Sequence, residues 1–164
     1  MKYLLLILLV CAFNSNAQIG KRFPSERKEV IDPVTGTKLI FLTSTQSGDS
    51  KIYQTHNQWT SDGQWLIFRS NRVRGEAMAV NEKTGDIVQV TEGGYTGMLN
   101  IARKSMKLYF MRNSKNDTIP TTPGDTARRR VQSPVQIIEV DLEKLFSDSK
   151  AGTLKKADTY QRIC

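Results

Sequence analysis

His56 is the only histidine of the chain, and the residues around it could carry a proton transfer. Tyr53 and Asn57 stand beside it, and Arg69, Arg72 and Arg74 follow after one further strand. An imidazole titrates near neutrality, and nearby guanidinium groups disfavour its charged form, so His56 is expected to be neutral and available as a base. Arginine offers a planar fork of N–H donors that pairs with a carboxylate. A base, a carboxylate clamp and a phenol are the groups that β-elimination from a uronic acid requires. The clamp neutralises the carboxylate and acidifies C5, the base takes that proton, and the phenol protonates the departing oxygen. On this reading His56 and Tyr53 are catalytic, while Asn57, Arg69, Arg72 and Arg74 bind the substrate. A lone histidine at a strand start also serves as a turn cap, so the reading depends on what positions it.

The positioning elements read as strands. Residues 29–32 and 38–43 flank the turn Pro33, Val34, Thr35, Gly36. Gln58 to Thr60 runs through Ser61, Asp62 and Gly63 into Trp65, Leu66, Ile67 and Phe68, a hairpin pattern. Residues 76–81, a turn at Glu82, Lys83, Thr84 and Gly85, and residues 87–91 complete a four-stranded antiparallel meander over 58–92. The stretch from Trp59 to Arg69 then recurs from Ile101 to Met111, and Val140 and Asp141 read as the third strand of that second unit. An offset of 42 residues between Trp59 and Ile101 is the spacing of propeller blades. The expected fold is therefore all-β, a partial β-propeller of two to three four-stranded blades, with residues 99–145 forming a second sheet packed on the first. A four-stranded sheet needs a neighbour on each face, so the propeller is expected to be incomplete at residue 164, with further blades required for closure.

Propeller topology would bring the strand entering near Tyr53 to Gln58 beside the exit of the next strand near Arg69 to Arg74. All six candidate residues would then share one channel mouth, together with a long insertion, 113–134, that delays the third strand of the second unit.

The amino terminus has Lys2, an uncharged apolar run over 3–13, and Ser15 and Ala17 as small residues ahead of a cleavage point. The run is shorter than the ~20 residues of a membrane span. Residues 1–17 are expected to be a signal peptide and 18–164 the exported domain, periplasmic or secreted. Lipid attachment at Cys11 is disfavoured because bulky Val10 precedes it. With Cys11 removed, Cys164 is an odd thiol, and one cysteine with one histidine builds neither a disulfide framework nor a zinc cluster. The formal charge is +8, and Lys2 is the only charge before residue 18, which leaves +7 on residues 18–164. An exported basic surface points to acidic polysaccharide, lipopolysaccharide or anionic lipid rather than nucleic acid, and charge alone does not choose among the three. Arg128, Arg129 and Arg130 read as a solvated loop face.

The run from Thr55 to Arg72, followed by Glu82-Lys83-Thr84-Gly85 and Val90-Thr91-Glu92-Gly93, resembles the amino-terminal blades of oligogalacturonate lyases, polysaccharide lyase family 22. The likeness covers residues 28–112. It implies a seven-bladed propeller, elimination on short pectic oligomers, and a manganese-type divalent metal held by histidines and a glutamine of later blades. This chain has no such positions, so no metal ligands are assigned. His56 matches the amino-terminal motif, not the metal cluster. The Ser-Asp-Gly and Ser-Asn-Arg motifs also resemble TolB-type propellers. A non-catalytic periplasmic scaffold that binds proteins is therefore the alternative, and a propeller that filters access to a hydrolase domain is a third.

Overall fold

In the computed structural model, residues 18–114 and 134–164 are described; the apolar run, the cleavage point, most of the 113–134 insertion and the arginine triplet lie outside them. The strands are β1 (Arg22–Phe23), β2 (Lys28–Ile31), β3 (Lys38–Phe41), β4 (Ser50–Lys51), β5 (Trp65–Arg69), β6 (Ala77–Asn81), β7 (Ile87–Gln89), β8 (Thr96–Ile101), β9 (Lys107–Asn113), β10 (Val135–Asp141) and β11 (Gln161–Ile163). One α-helix, α1 (Leu142–Ala151), and a short 3-10 helix, Ala157–Thr159, lie between β10 and β11. Three antiparallel sheets result, in the orders β1-β7-β6-β5-β4, β11-β10-β9-β8 and β2-β3. Among the described residues no helix is long and apolar enough to cross a membrane.

Alternation along the strands decides how the first sheet packs. Ile67 pairs with Ala79 and Ala79 with Val88, a row on one face; Leu66 pairs with Val80 and Val80 with Ile87 on the other. The first row joins Leu99, Leu108, Phe110, Ile138 and Val140 of the second sheet in one buried cluster. Ala77 and Ala79, both wholly buried, keep that side of β6 small. The opposite face gathers Phe68, Met78, Val80 and Ile87 with Phe23 and Leu42. The two sheets thus stack as the repeat predicted.

Two expectations need correction. The strand before β5 pairs through Ser50 with Arg69 and Lys51 with Phe68, while the predicted segment 58–60 contributes only a bridge from Trp59 to Leu66. Seven residues lie between Lys51 and Trp59 but only Ile67 lies between their partners Phe68 and Leu66, so residues 52–58 leave the ladder as a wide bulge. The first sheet also gains a fifth strand, β1, which pairs with β7.

The second sheet is not complete by residue 145. Its fourth strand is β11, and α1 occupies the connection. The helix is capped by Asp141, whose side chain accepts the Lys144 N–H at 3.0 Å, and stopped by Gly152 in the left-handed region at φ 70°. Leu142, Leu145 and Phe146 form its buried stripe, and the Phe146 ring stacks on Trp65 with centroids 4.1 Å apart. Asp-capped start, apolar spacing and terminal glycine were all legible; the strand repeat masked them.

Candidate functional site

The bulge creates the site. Ile52 anchors it, fully buried, and a turn follows in which the His56 N–H donates to the Tyr53 carbonyl at 3.0 Å. The Tyr53 and His56 rings meet edge to face at 5.4 Å. Asn57 ends the excursion: its Nδ2 donates to the Trp59 carbonyl at 2.6 Å, and the Ile67 N–H then finds the Gln58 carbonyl at 2.9 Å. Beyond it the Thr60 hydroxyl donates to Asp62 Oδ1 at 2.5 Å and accepts the Trp65 N–H at 3.1 Å, which fixes the tight turn that Gly63 closes at φ 68°.

Between bulge and turn lies a cavity of about 540 Å³ lined by Thr55, His56, Asn57, Thr60, Ser61, Gly63 and Arg103. His56 Nδ1 is itself buried, without a hydrogen-bond partner among the described residues, so it is another part of the His56 side chain that faces the cavity. A buried polar nitrogen left unpaired costs about 1–3 kcal/mol, so the ring is held in place by its surroundings at a cost. Arg103 supplies the guanidinium of this cavity and was not among the expected residues. A signal for it existed: in the internal repeat Arg103 aligns with Ser61, and stacked sheets place equivalent turns side by side.

The expected arginines stand elsewhere. Arg69 is level with Ser50, at the far end of β5 from the cavity, and its Nη2 donates to the Gly97 carbonyl at 3.3 Å. Arg74 is exposed. The Arg72 guanidinium is spent on internal partners: Nη1 bonds to Asp49 and, at 2.8 Å, to the Ser70 hydroxyl; Nη2 bonds to Glu26 at 2.7 Å and to the Thr45 hydroxyl at 3.3 Å. It also sits 5.7 Å from the centre of the Phe68 ring, and its side chain is 5% exposed. Burial pushes the Glu26 carboxyl up, but Arg72, the amides of Ser44 and Thr45 and the Thr45 hydroxyl outweigh burial and hold it at about 2. Arg72 thus ties the segments flanking β2 and β3 to the first sheet. The shared mouth expected for all six residues is divided: His56 and Asn57 line the cavity with Tyr53 against His56, and the three arginines lie outside its lining.

Among the described residues no group of three or more His, Cys, Asp or Glu side chains is placed to hold a metal. The buried carboxylates among the described residues are engaged, Glu76 by the Gly93 and Gly94 N–H groups and the Thr91 hydroxyl and Glu139 by Lys107, Tyr109 and Arg162, and the half-buried Glu26 and Asp49 pair with Arg72. A manganese-type ion therefore does not fit the residues described.

This is an all-antiparallel β protein with stacked meander sheets and one inserted helix. Its fold is similar to that of two solved structures, an oligogalacturonate lyase in complex with manganese and an oligogalacturonate lyase from Vibrio parahaemolyticus. The first is 19% identical with a TM-score of 0.56 over 78% of this chain and 30% of that chain. The second is 20% identical with the same TM-score over 79% of this chain and 30% of that chain. No family model matches the sequence, and no curated protein matches it. The likeness is one of fold, and the chain spans about 30% of the length of the lyases it matches.

Proposed function

We propose that the stacked sheets are successive blades of a lyase-type β-propeller, exported with residues 1–17 as its signal, and that the His56 cavity binds an acidic oligosaccharide of the uronate class. The observation that carries this reading is the cavity itself. It gathers an imidazole, an amide, hydroxyls and a guanidinium around one space, on a fold similar to that of oligogalacturonate lyases.

The roles follow from the chemistry of the groups. Arg103 pairs with the uronate carboxylate and lowers the cost of negative charge at C5. His56 takes the C5 proton, the C5–H electrons form the C4–C5 double bond, and the C4–O bond breaks. Tyr53, which meets His56 edge-on, is the group assigned to return a proton to the leaving oxygen. Asn57 shapes the bulge and contributes its remaining amide N–H. Elimination belongs to the whole lyase-type protein; binding at the cavity is the part assigned to these residues.

The test is a titration of the protein with trigalacturonate and with neutral galactose oligomers, followed through the His56 ring resonances, alongside the absorbance of unsaturated uronide product. Trigalacturonate should shift His56, and Arg103→Ala should weaken binding roughly ten- to a hundredfold, the worth of about 1.5–3 kcal/mol for a hydrogen bond to a charged group. If trigalacturonate leaves His56 unmoved, the cavity is not a uronate site and a protein-binding scaffold becomes the better reading.

A further inference from the structure

The end of β5 and β9 opposite the His56 cavity carries a second set of polar groups that the proposed elimination does not use. Gly93, Gly94, Tyr95, Thr96, Arg112 and Asn113 enclose about 170 Å³ where the chain enters β8 and leaves β9. Arg103 lies in the turn at the other end of this hairpin. At 3.3–3.4 Å per residue, the six residues of β8 put roughly 20 Å between the two spaces.

Arg112 shares the lining of the space with Tyr95, and Arg69 lies outside the lining but within electrostatic reach of the Tyr95 phenol. Arg112 lines the space, and its Nη1 donates to the Glu92 carbonyl at 3.3 Å. Arg69 reaches over from β5 and donates through Nη2 to the carbonyl of Gly97, where β8 shifts register. Gly97 stands at φ 71°, and a Cβ there would come within 2.7 Å of the Met111 side chain, so the bulge that turns this carbonyl toward Arg69 requires glycine. The Nε of Arg69 is buried without a partner among the described residues. Each guanidinium carries five N–H donors, and among the described residues each spends one on a long bond to a neutral carbonyl.

Tyr95 is half-buried with its ring edge-on to Phe110, centroids 6.5 Å apart. Burial pushes its phenol pKa up, Arg69 opposes that and Glu76 adds to it, so both charges lie within electrostatic reach. Glu76 is already committed: its carboxylate accepts the N–H groups of Gly93 and Gly94 at 3.0 and 2.8 Å and the Thr91 hydroxyl at 2.7 Å. The Glu92 carboxylate accepts the Ile19 N–H at 2.8 Å. The buried carboxylate near Tyr95 is thus spent on two backbone N–H groups and a hydroxyl, and among the described residues no ion pair joins it to Arg69 or Arg112. The space equals that of roughly five or six waters, which suits a carboxylate and the edge of its ring rather than an oligomer.

We infer that the Arg69–Tyr95–Arg112 corner is a second binding site, for the carboxylate of a single acidic sugar residue. The inference rests on the uronate reading only for the choice of ligand.

The probes are galacturonate, galactose and inorganic sulfate, each titrated into the protein while the Arg Nε–H signals of Arg69 and Arg112 and the ring signals of His56 are recorded. Galacturonate should move both arginine signals, galactose should not, and Arg69→Gln and Arg112→Gln should each weaken galacturonate at this corner about tenfold or more. Retained dispersion of the Phe110 and Leu108 signals shows that a variant is folded, and Arg112→Lys should restore only part of the affinity because a lysine lacks the planar fork. Equal response to sulfate and galacturonate, or to galactose and galacturonate, overturns the assignment of a sugar carboxylate. Movement of His56 without the arginines overturns this site and leaves the proposed function standing. Movement of the arginines supports this site whether or not His56 moves, silence at the arginines overturns it, and the His56 site stands or falls separately on its response to trigalacturonate.

Discussion

Arg72 and Arg103 exchange the roles that their neighbours in sequence suggested. Arg72 follows the Ser-Asn pair and precedes Arg74, a basic loop at the end of a strand, yet it is the most heavily bonded cation described here, with two carboxylates and two hydroxyls on one guanidinium. Removing one partner of a buried ion pair typically costs about 3–5 kcal/mol because the other charge is left unpaired. Arg72→Ala should therefore lower the unfolding free energy by about that amount in a denaturant melt while leaving affinity for trigalacturonate unchanged. Loss of affinity without loss of stability would restore Arg72 as a substrate clamp. The same cluster makes a pH prediction. Glu26 titrates at about 2 in the fold against 4.5 ordinarily, so its depressed pKa contributes stability that is fully present above 4.5 and is lost as pH falls from there toward about 2. Thermal melts across that window should lose this acid-side slope in Glu26→Gln, whose stability should already be lower at neutral pH.

At the level of elements, α1 shows that a helix can be inserted between two strands of one sheet without breaking it. Its apolar stripe extends the buried cluster past the edge of β10, and Tyr160 locks the return: its hydroxyl accepts the Lys155 N–H and donates to Asp148, both at 2.9 Å. The Ser149 hydroxyl donates to the Gly20 carbonyl at 2.6 Å, which joins the helix to the start of the described chain. Asp141→Ala should cost about 0.5–2 kcal/mol through the lost cap, and Leu145→Ala about 2–5 kcal/mol through the cavity it leaves. Because Phe146 stacks on Trp65, undocking of the helix should be visible as a change in Trp65 near-ultraviolet circular dichroism at the same midpoint as the loss of strand signal. Separate midpoints would show that α1 is an independent appendage.

For the whole molecule the notable surface is the β2–β3 hairpin. All eight of its strand residues are exposed, including Val30, Ile31, Leu39, Ile40 and Phe41, and a two-stranded ribbon is marginal in water by itself. Arg72, through Glu26 and Thr45, holds the segments that flank it. Exposed apolar strands with a free edge invite association. Sedimentation should show concentration-dependent self-association of the protein, and the pair Ile31→Lys and Phe41→Lys should reduce it with little change in melting temperature. A monomer at every concentration would mean that the hairpin is no sticky edge.

The sequence by itself determined what depends on short-range periodicity. Alternating apolar residues and the Asp62-Gly63 and Thr84-Gly85 turns specified β5, β6 and β7; the offset between Trp59 and Ile101 specified that a second sheet would follow and stack on the first. These signals are local, or they repeat at a fixed spacing, so one chain read in order contains them. Tertiary structure alone decided where Tyr53, His56 and Asn57 lie. Whether seven residues between Lys51 and Trp59 extend a strand or leave it as a bulge is settled by the register that β4 takes on β5, and no periodicity within the segment records that register. The bulge turns His56 toward Arg103 of the next sheet, and the partners of Arg72 come from 23 and 46 residues away, so the division of the arginines between structure and site was made by packing.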